Sequence, residues 1–138
     1  MKSNRYGQAG ILTPEQFEEL LHESCAKYRL LWAICYYTSC PVSEALQLER
    51  TDLVGDRIIF RAKTTKAKKT RDIKIATKLA AIMAESRLPE KGHLFPGEEG
   101  KHMTRQAADL MLRKICDYLG FRGISTHSFR RTRASVQY

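Results

Sequence analysis

Residues 28–48 read YRLLWAICYYTSCPVSEALQL, and the reading of this stretch decides the architecture. From Tyr28 to Thr38 it is apolar on nearly every side, the pattern of a helix buried at the centre of a domain. Pro41 interrupts that run, because it has no N–H to donate and its ring crowds the preceding turn, so the chain turns near Ser39 to Pro41. Ser43 then offers a cap for a short new helix through Glu44, Ala45, Leu46 and Leu48. A core helix that turns into a second helix predicts a domain organised around residues 28–38.

Upstream, Thr13-Pro14-Glu15-Gln16 is a strong helix start, with Thr13 as N-cap, Pro14 at the first helical position and Gln16 placed to close a capping box. Residues 1–12 then read as a leader and residues 13–138 as the domain, with Phe17, Leu20 and Leu21 recurring at helical spacing. Downstream, RIIFRAKTTKAKKTRDIKI (residues 57–75) favours β structure at both ends around a polar, basic middle, which predicts a β-hairpin with a mobile cationic tip. Thr77 opens a helix to about Arg87, and LPEKGHLFPGEEGK (residues 88–101) reads as a surface loop from its prolines and glycines. Thr104 caps a helix through Ala107, Leu110, Met111 and Ile115 that stops at Gly120, and a last helix starts at Ser125/Thr126. The expected fold is mainly α with a small antiparallel β-sheet or hairpin around one core.

A chain of 138 residues with a 43% apolar share fits one domain. It holds no apolar run long enough for a membrane span, and the N-terminal residues lack the apolar stretch of a secretory signal, so a soluble, cytoplasmic protein with no membrane partner is expected. Cys25, Cys35, Cys40 and Cys116 form no C-x-x-C pair, which argues for buried thiols in a reducing compartment over a disulfide or metal framework. The charge is more informative: 24 basic against 15 acidic residues give +9. Residues 57–74 hold eight basic side chains and one acid, and residues 101–133 hold eight and two, while the rest of the chain is net acidic. Positive charge gathered in two segments predicts a surface for a polyanion.

His127 and Arg130, three residues apart on the last helix, share a face, and both can donate hydrogen bonds to a phosphate. The pair alone is a weak signal, and a capped surface helix carrying the two by chance is the plainer explanation. Its context is stronger. Thr126-His127-Ser128-Phe129-Arg130-Arg131-Thr132 resembles the T-H-x-L-R-R-T signature of the tyrosine recombinases of the phage-integrase type. The segment from Tyr37 to Leu48 resembles that family's Y-T-G-x-R-x-S-E-x-x-x-L motif, followed at the expected distance by Asp52-Leu53 and a basic hairpin, and Leu12-Thr13-Pro14-Glu15 resembles the opening of its catalytic domain. Three motifs in order are far more specific than one, and together they cover the chain from about residue 11 onward.

The resemblance implies the DNA breaking-rejoining fold and a reaction in which a tyrosine attacks a DNA phosphate with no metal or nucleotide cofactor. Protein cations must then offset the charge on the phosphoryl oxygens. It implies Arg130 and His127 as the clamp, and Lys63 as the hairpin lysine that protonates the leaving oxygen, with Lys66 close enough to compete for that role. Lys66, Lys68, Lys69, Arg71, Arg105 and Arg131 are the further candidates for contact with double-stranded DNA, and Glu44 matches an acidic position that supports the site. Other recombinase protomers are the implied protein partners, and a bacterial, phage or mobile-element origin is implied.

Two departures stand out. Where the family pattern has its first arginine this chain has Pro41, which leaves Arg29 or Arg50 to reach in from elsewhere. Eight residues follow Arg130, so Tyr138 is not expected to be the nucleophile, and this chain by itself is expected not to cleave DNA. A regulatory DNA-binding relative that modulates a true recombinase, and an unrelated basic nucleic-acid-binding module, are the alternative functions.

Overall fold

In the computed structural model, which describes residues 10–129, the chain runs α1 (Pro14–Glu23), α2 (Ala26–Thr38), α3 (Val42–Leu46), β1 (Leu53–Val54), β2 (Arg57–Phe60), β3 (Arg71–Lys74), α4 (Thr77–Glu85) and α5 (Arg105–Leu119). Single 3₁₀ turns occupy Arg50–Asp52 and Ala62–Thr64. Arg130, Arg131, Tyr138 and the rest of the expected last helix lie outside the described residues. No helix among the described residues is long and apolar enough to cross a membrane.

Local chemistry explains most boundaries. Thr13 and Gln16 form the capping box that starts α1, each side chain accepting from the other's backbone N–H at 3.0 and 2.9 Å. The Thr104 hydroxyl accepts from the Ala107 N–H at 3.1 Å to start α5, and Gly120 ends that helix at φ 79°, the left-handed conformation a glycine takes without strain. Ser43 does not cap α3: Pro41 is the N-cap, at φ −64° and ψ 151°. The Pro41 carbonyl accepts from the N–H groups of Glu44 and Ala45, and a proline at a helix start forfeits no hydrogen bond, so the helix begins two residues earlier than the serine suggests.

The sheet has the order β1-β2-β3, antiparallel throughout, with Ile58 opposite both Leu53 and Ile73. The strand β1, two residues long, is an addition to the expected hairpin. A larger difference concerns residues 88–101, read as a surface loop, and the two residues after them. Leu94, Phe95 and Met103 are buried there, and the loop is stitched to the end of α3 by Leu94 N–H to Leu48 O at 3.0 Å and Arg50 N–H to Gly92 O at 2.7 Å. Its prolines and glycines shape the turns while its apolar residues join the core. Leu12, in the stretch read as a leader, is buried too, and the Gly10 N–H donates to Gly123 O at 2.6 Å.

The core is aromatic and centres on α2, where residues Leu30 to Tyr36 are all buried. Trp32 stacks on Phe129 with ring centroids 5.6 Å apart, and Phe17 stacks on Tyr36 at 3.9 Å while meeting Phe129 edge-on at 6.0 Å. These contacts anchor the start of the last helix, two residues beyond His127, to the buried helix α2 and to α1. Cys35, Cys40 and Cys116 are buried and Cys25 is exposed. Burial, with Asp117 adding to it, pushes the Cys116 thiol up to about 11, and a hydrogen bond donated to Cys40, together with burial, raises Cys35 while lowering Cys40. A thiol that a reagent cannot reach reacts slowly whatever its protonation, so Cys25 alone of the four is expected to react rapidly with a disulfide reagent at pH 8 in the folded protein. Rapid modification of two or more would contradict this packing.

The single tryptophan also carries a polar group inward: Trp32 Nε1–H donates to Ser24 Oγ at 3.0 Å, and Ser24 Oγ–H donates onward to Leu20 O at 2.7 Å. Ser24→Ala strands the indole N–H in the core, and the expected loss is ~1–3 kcal/mol in urea unfolding followed by Trp32 fluorescence. An unchanged midpoint would show that the indole N–H finds another acceptor.

Candidate phosphate-binding site

The hairpin segment sorts its cations by type. Arg57 pairs with Asp72 across the sheet at 3.1 Å. Arg61 donates from Nη2 to Gln47 O at 2.9 Å and lies 3.1 Å from Asp52 and 3.4 Å from Glu49, tying the end of β2 to the turn after α3. Arg71 donates to Glu44 Oε1 at 3.1 Å and lays its guanidinium over the Phe60 ring, 4.6 Å from the centroid. Lys63, Lys66, Lys68 and Lys69 are all exposed, and none forms an ion pair with another described residue. The arginines brace the fold, and the lysines project from it. Arg71, grouped with the lysines in the sequence, is thus set apart from them by the fold.

Glu44 holds the hairpin in place. It is 3% exposed on α3 and accepts from Arg71 at 3.1 Å and from the Lys66 backbone N–H at 3.2 Å, reaching partners 27 and 22 residues away. Beneath the lysines the tip closes around Thr65, also buried, whose hydroxyl accepts from the Lys69 N–H at 3.1 Å. The tip expected to be mobile is therefore tied at two points, with Lys68 at φ 58° taking the tight left-handed turn. Both lysines proposed from sequence for proton delivery flank this tie: Lys63 in the 3₁₀ turn before it, and Lys66 with its backbone directly on Glu44.

His127 is exposed in the first turn of the last helix, with its N–H 3.3 Å from the Ser125 hydroxyl that accepts it. The fold brings Arg105, the first residue of α5, to it: Arg105 Nη2 donates to His127 Nε2 at 3.5 Å. Sequence reasoning named both residues but not their contact, since no pattern links positions 22 apart on separate helices. Arg130 and Arg131 lie outside the described residues. Arg29 is not available to replace the arginine absent at Pro41, because its guanidinium donates to the carbonyls of Leu21 and Ser24 at 2.9 Å each, closing the end of α1. The side chain of Arg50 has no described partner, and nothing places it beside His127. Among the described residues no group of three or more His, Cys, Asp or Glu is arranged to hold a metal ion.

Comparison with known proteins agrees with this order of elements. The model of the phage integrase family matches residues 11–136. An integrase/recombinase of Sinorhizobium fredii (strain NBRC 101917 / NGR234), y4qK, is 31% identical over 127 residues, covering 87% of this chain and 41% of that protein. The integrase of mycobacterium phage Brujita superposes with a TM-score of 0.77 at 17% identity, over 93% of this chain and 44% of that one. The XerH site-specific recombinase, solved bound to its difH substrate, superposes with a TM-score of 0.70 at 22% identity, over 93% of this chain and 42% of its own. The chain belongs to the phage integrase family, and its fold is that of the family's catalytic domain. It spans about two-fifths of the length of the curated relatives it matches.

Removing the Glu44 carboxylate tests the hairpin tie. Glu44→Ala is expected to cost ~1–3 kcal/mol, less than a fully buried pair because the Arg71 side chain is 36% exposed and can rehydrate. The Lys66 amide should then exchange its hydrogen faster in deuterium oxide, and unchanged protection there would show that Glu44 does not hold the tip.

Proposed function

We propose that this chain is the catalytic-domain portion of a site-specific DNA recombinase, which engages double-stranded DNA through its phosphates during integration or excision and works with other recombinase protomers in the cytoplasm. The observation that carries this reading is the hairpin of four exposed lysines, none ion-paired with another described residue, on a braced base in a chain of the phage integrase family. Unpaired lysines offer a duplex their charge without first breaking ion pairs, and their affinity comes from releasing counterions. The Tn1549 transposon integrase, solved in complex with transposon right end DNA, supports DNA as the ligand.

At the reacting phosphate, His127 and Arg130 donate to the nonbridging oxygens, where negative charge builds as the nucleophile attacks and the 5′-oxygen departs. Lys63 delivers a proton to that leaving oxygen, and Lys66 is the second candidate for the same step. Lys66, Lys68, Lys69 and Arg131 hold neighbouring phosphates and set register without naming bases. Glu44 positions the hairpin lysines and touches no substrate. Pro41 contributes no donor, and one missing donor to such a centre is worth roughly 10²–10³ in rate.

Gel shifts with a mixed-sequence duplex at graded salt test the reading. Binding is expected to weaken steeply as salt rises, with Lys63→Ala, Lys66→Ala and Arg130→Ala each weakening it and each lowering the salt slope by about 0.9 per phosphate contact removed. A chain that binds no duplex even at low salt would overturn the proposal.

A further inference from the structure

A phosphoryl centre built from side-chain cations needs donors on more than one side of the phosphate, and position 41 supplies none. The geometry points to Arg105 as the guanidinium that completes the His127 site: we propose that Arg105 and His127 clamp one phosphodiester between them. This deepens the DNA reading above and rests on it for the identity of the phosphodiester.

The argument starts from the contact itself. Arg105 Nη2 and His127 Nε2 stand 3.5 Å apart, long for an N–H···N hydrogen bond, and both side chains are exposed. Two nitrogens at that separation can each reach a single phosphoryl oxygen at about 2.8 Å, the length of a charge-assisted hydrogen bond. Arginine can only donate, so as a hydrogen bond this contact requires His127 Nε2 to accept. On binding an anion, Nε2 must carry a proton, and both groups then donate to the same oxygen or to two oxygens of one phosphate. The competing carboxylate is weak: Asp109, one turn along α5, lies 3.7 Å from Arg105 Nε, with the two side chains 49% and 40% exposed. An exposed pair of that kind holds little energy in water and yields to a phosphate.

Three other described arginines are already engaged. Arg71 is engaged by Glu44, Arg61 by Asp52 and Glu49, and Arg29 by backbone carbonyls. Arg105 is the one whose described partners include an imidazole on the other element of the site. Its place at the first residue of a 15-residue helix fixes its Cα, so the side chain needs only rotamer changes to follow the ligand.

The test uses the 138-residue chain and dimethyl phosphate, a phosphodiester monoanion that does not titrate near neutral pH. Imidazole ¹⁵N resonances of His127 are followed as dimethyl phosphate is added to the wild type, Arg105→Ala, Arg105→Lys and the control Arg113→Ala, each checked for folding by its amide spectrum. Expected are a saturable shift at His127 in the wild type and Arg113→Ala, about tenfold weaker binding in Arg105→Ala, and an intermediate value for Arg105→Lys, which keeps the charge without the fork. A His127 shift in Arg105→Ala equal to the wild type's, or none in the wild type, would overturn the clamp. Duplex gel shifts on the same proteins keep the two readings apart. A wild type that binds duplex while Arg105 leaves the His127 titration untouched refutes the clamp alone, and one that shows the Arg105-dependent shift yet binds no duplex refutes the DNA reading alone.

Discussion

A carboxylate taken out of water must find partners that cost less than its lost hydration, and Glu44 finds both of its own in the hairpin. With 3% of its surface exposed, it holds the Arg71 guanidinium and the Lys66 amide, which folds a basic ribbon down onto the start of α3. Arg71 is steadied from the other side by the Phe60 ring, so the pair is part of the sheet's packing as well as its charge balance. The consequence reaches the surface. Because the acids near the base are already matched by arginines, the lysines at the tip have no ion pair with another described residue to give up when an anion arrives.

The second constraint is aromatic. Phe129 is fully buried against Trp32 and Phe17, and this ties the start of the last helix to both α1 and α2. His127 sits two residues before that anchor, which holds its backbone while leaving its ring in solvent beside Arg105. A rigid core beneath an exposed donor is what lets a site meet a phosphate without reorganising. Pro41 shows the same separation of fold from site. At the N-cap of α3 a proline is sterically welcome, so the fold accepts the substitution although it removes a guanidinium.

Much of this was legible in the linear chain where the deciding interactions span four residues or fewer. The capping box at Thr13 and Gln16, the Thr104 cap and the Gly120 stop were all readable, because each is a hydrogen bond between near neighbours. The buried helix was readable because its side chains are apolar on every face. Ser43 misled because serine is the commoner cap, while the carbonyl that accepts belongs to Pro41. Leu94 and Phe95 were hidden by the prolines and glycines around them, and only their contact with the distant end of α3 shows that they are core.

The sequence by itself determined where most helices start and stop, that positive charge gathers in two segments, and that three motifs occur in the order the phage integrase family uses. Those features follow from backbone hydrogen bonding and side-chain periodicity, which act over a few residues. Only the tertiary structure decided which cations are engaged and which are free, and that Arg105 meets His127. An arginine and a lysine look alike as charges along a chain. What distinguishes Arg71 from Lys66 is a carboxylate more than twenty residues away, brought near only when the core closes and must neutralise what it buries.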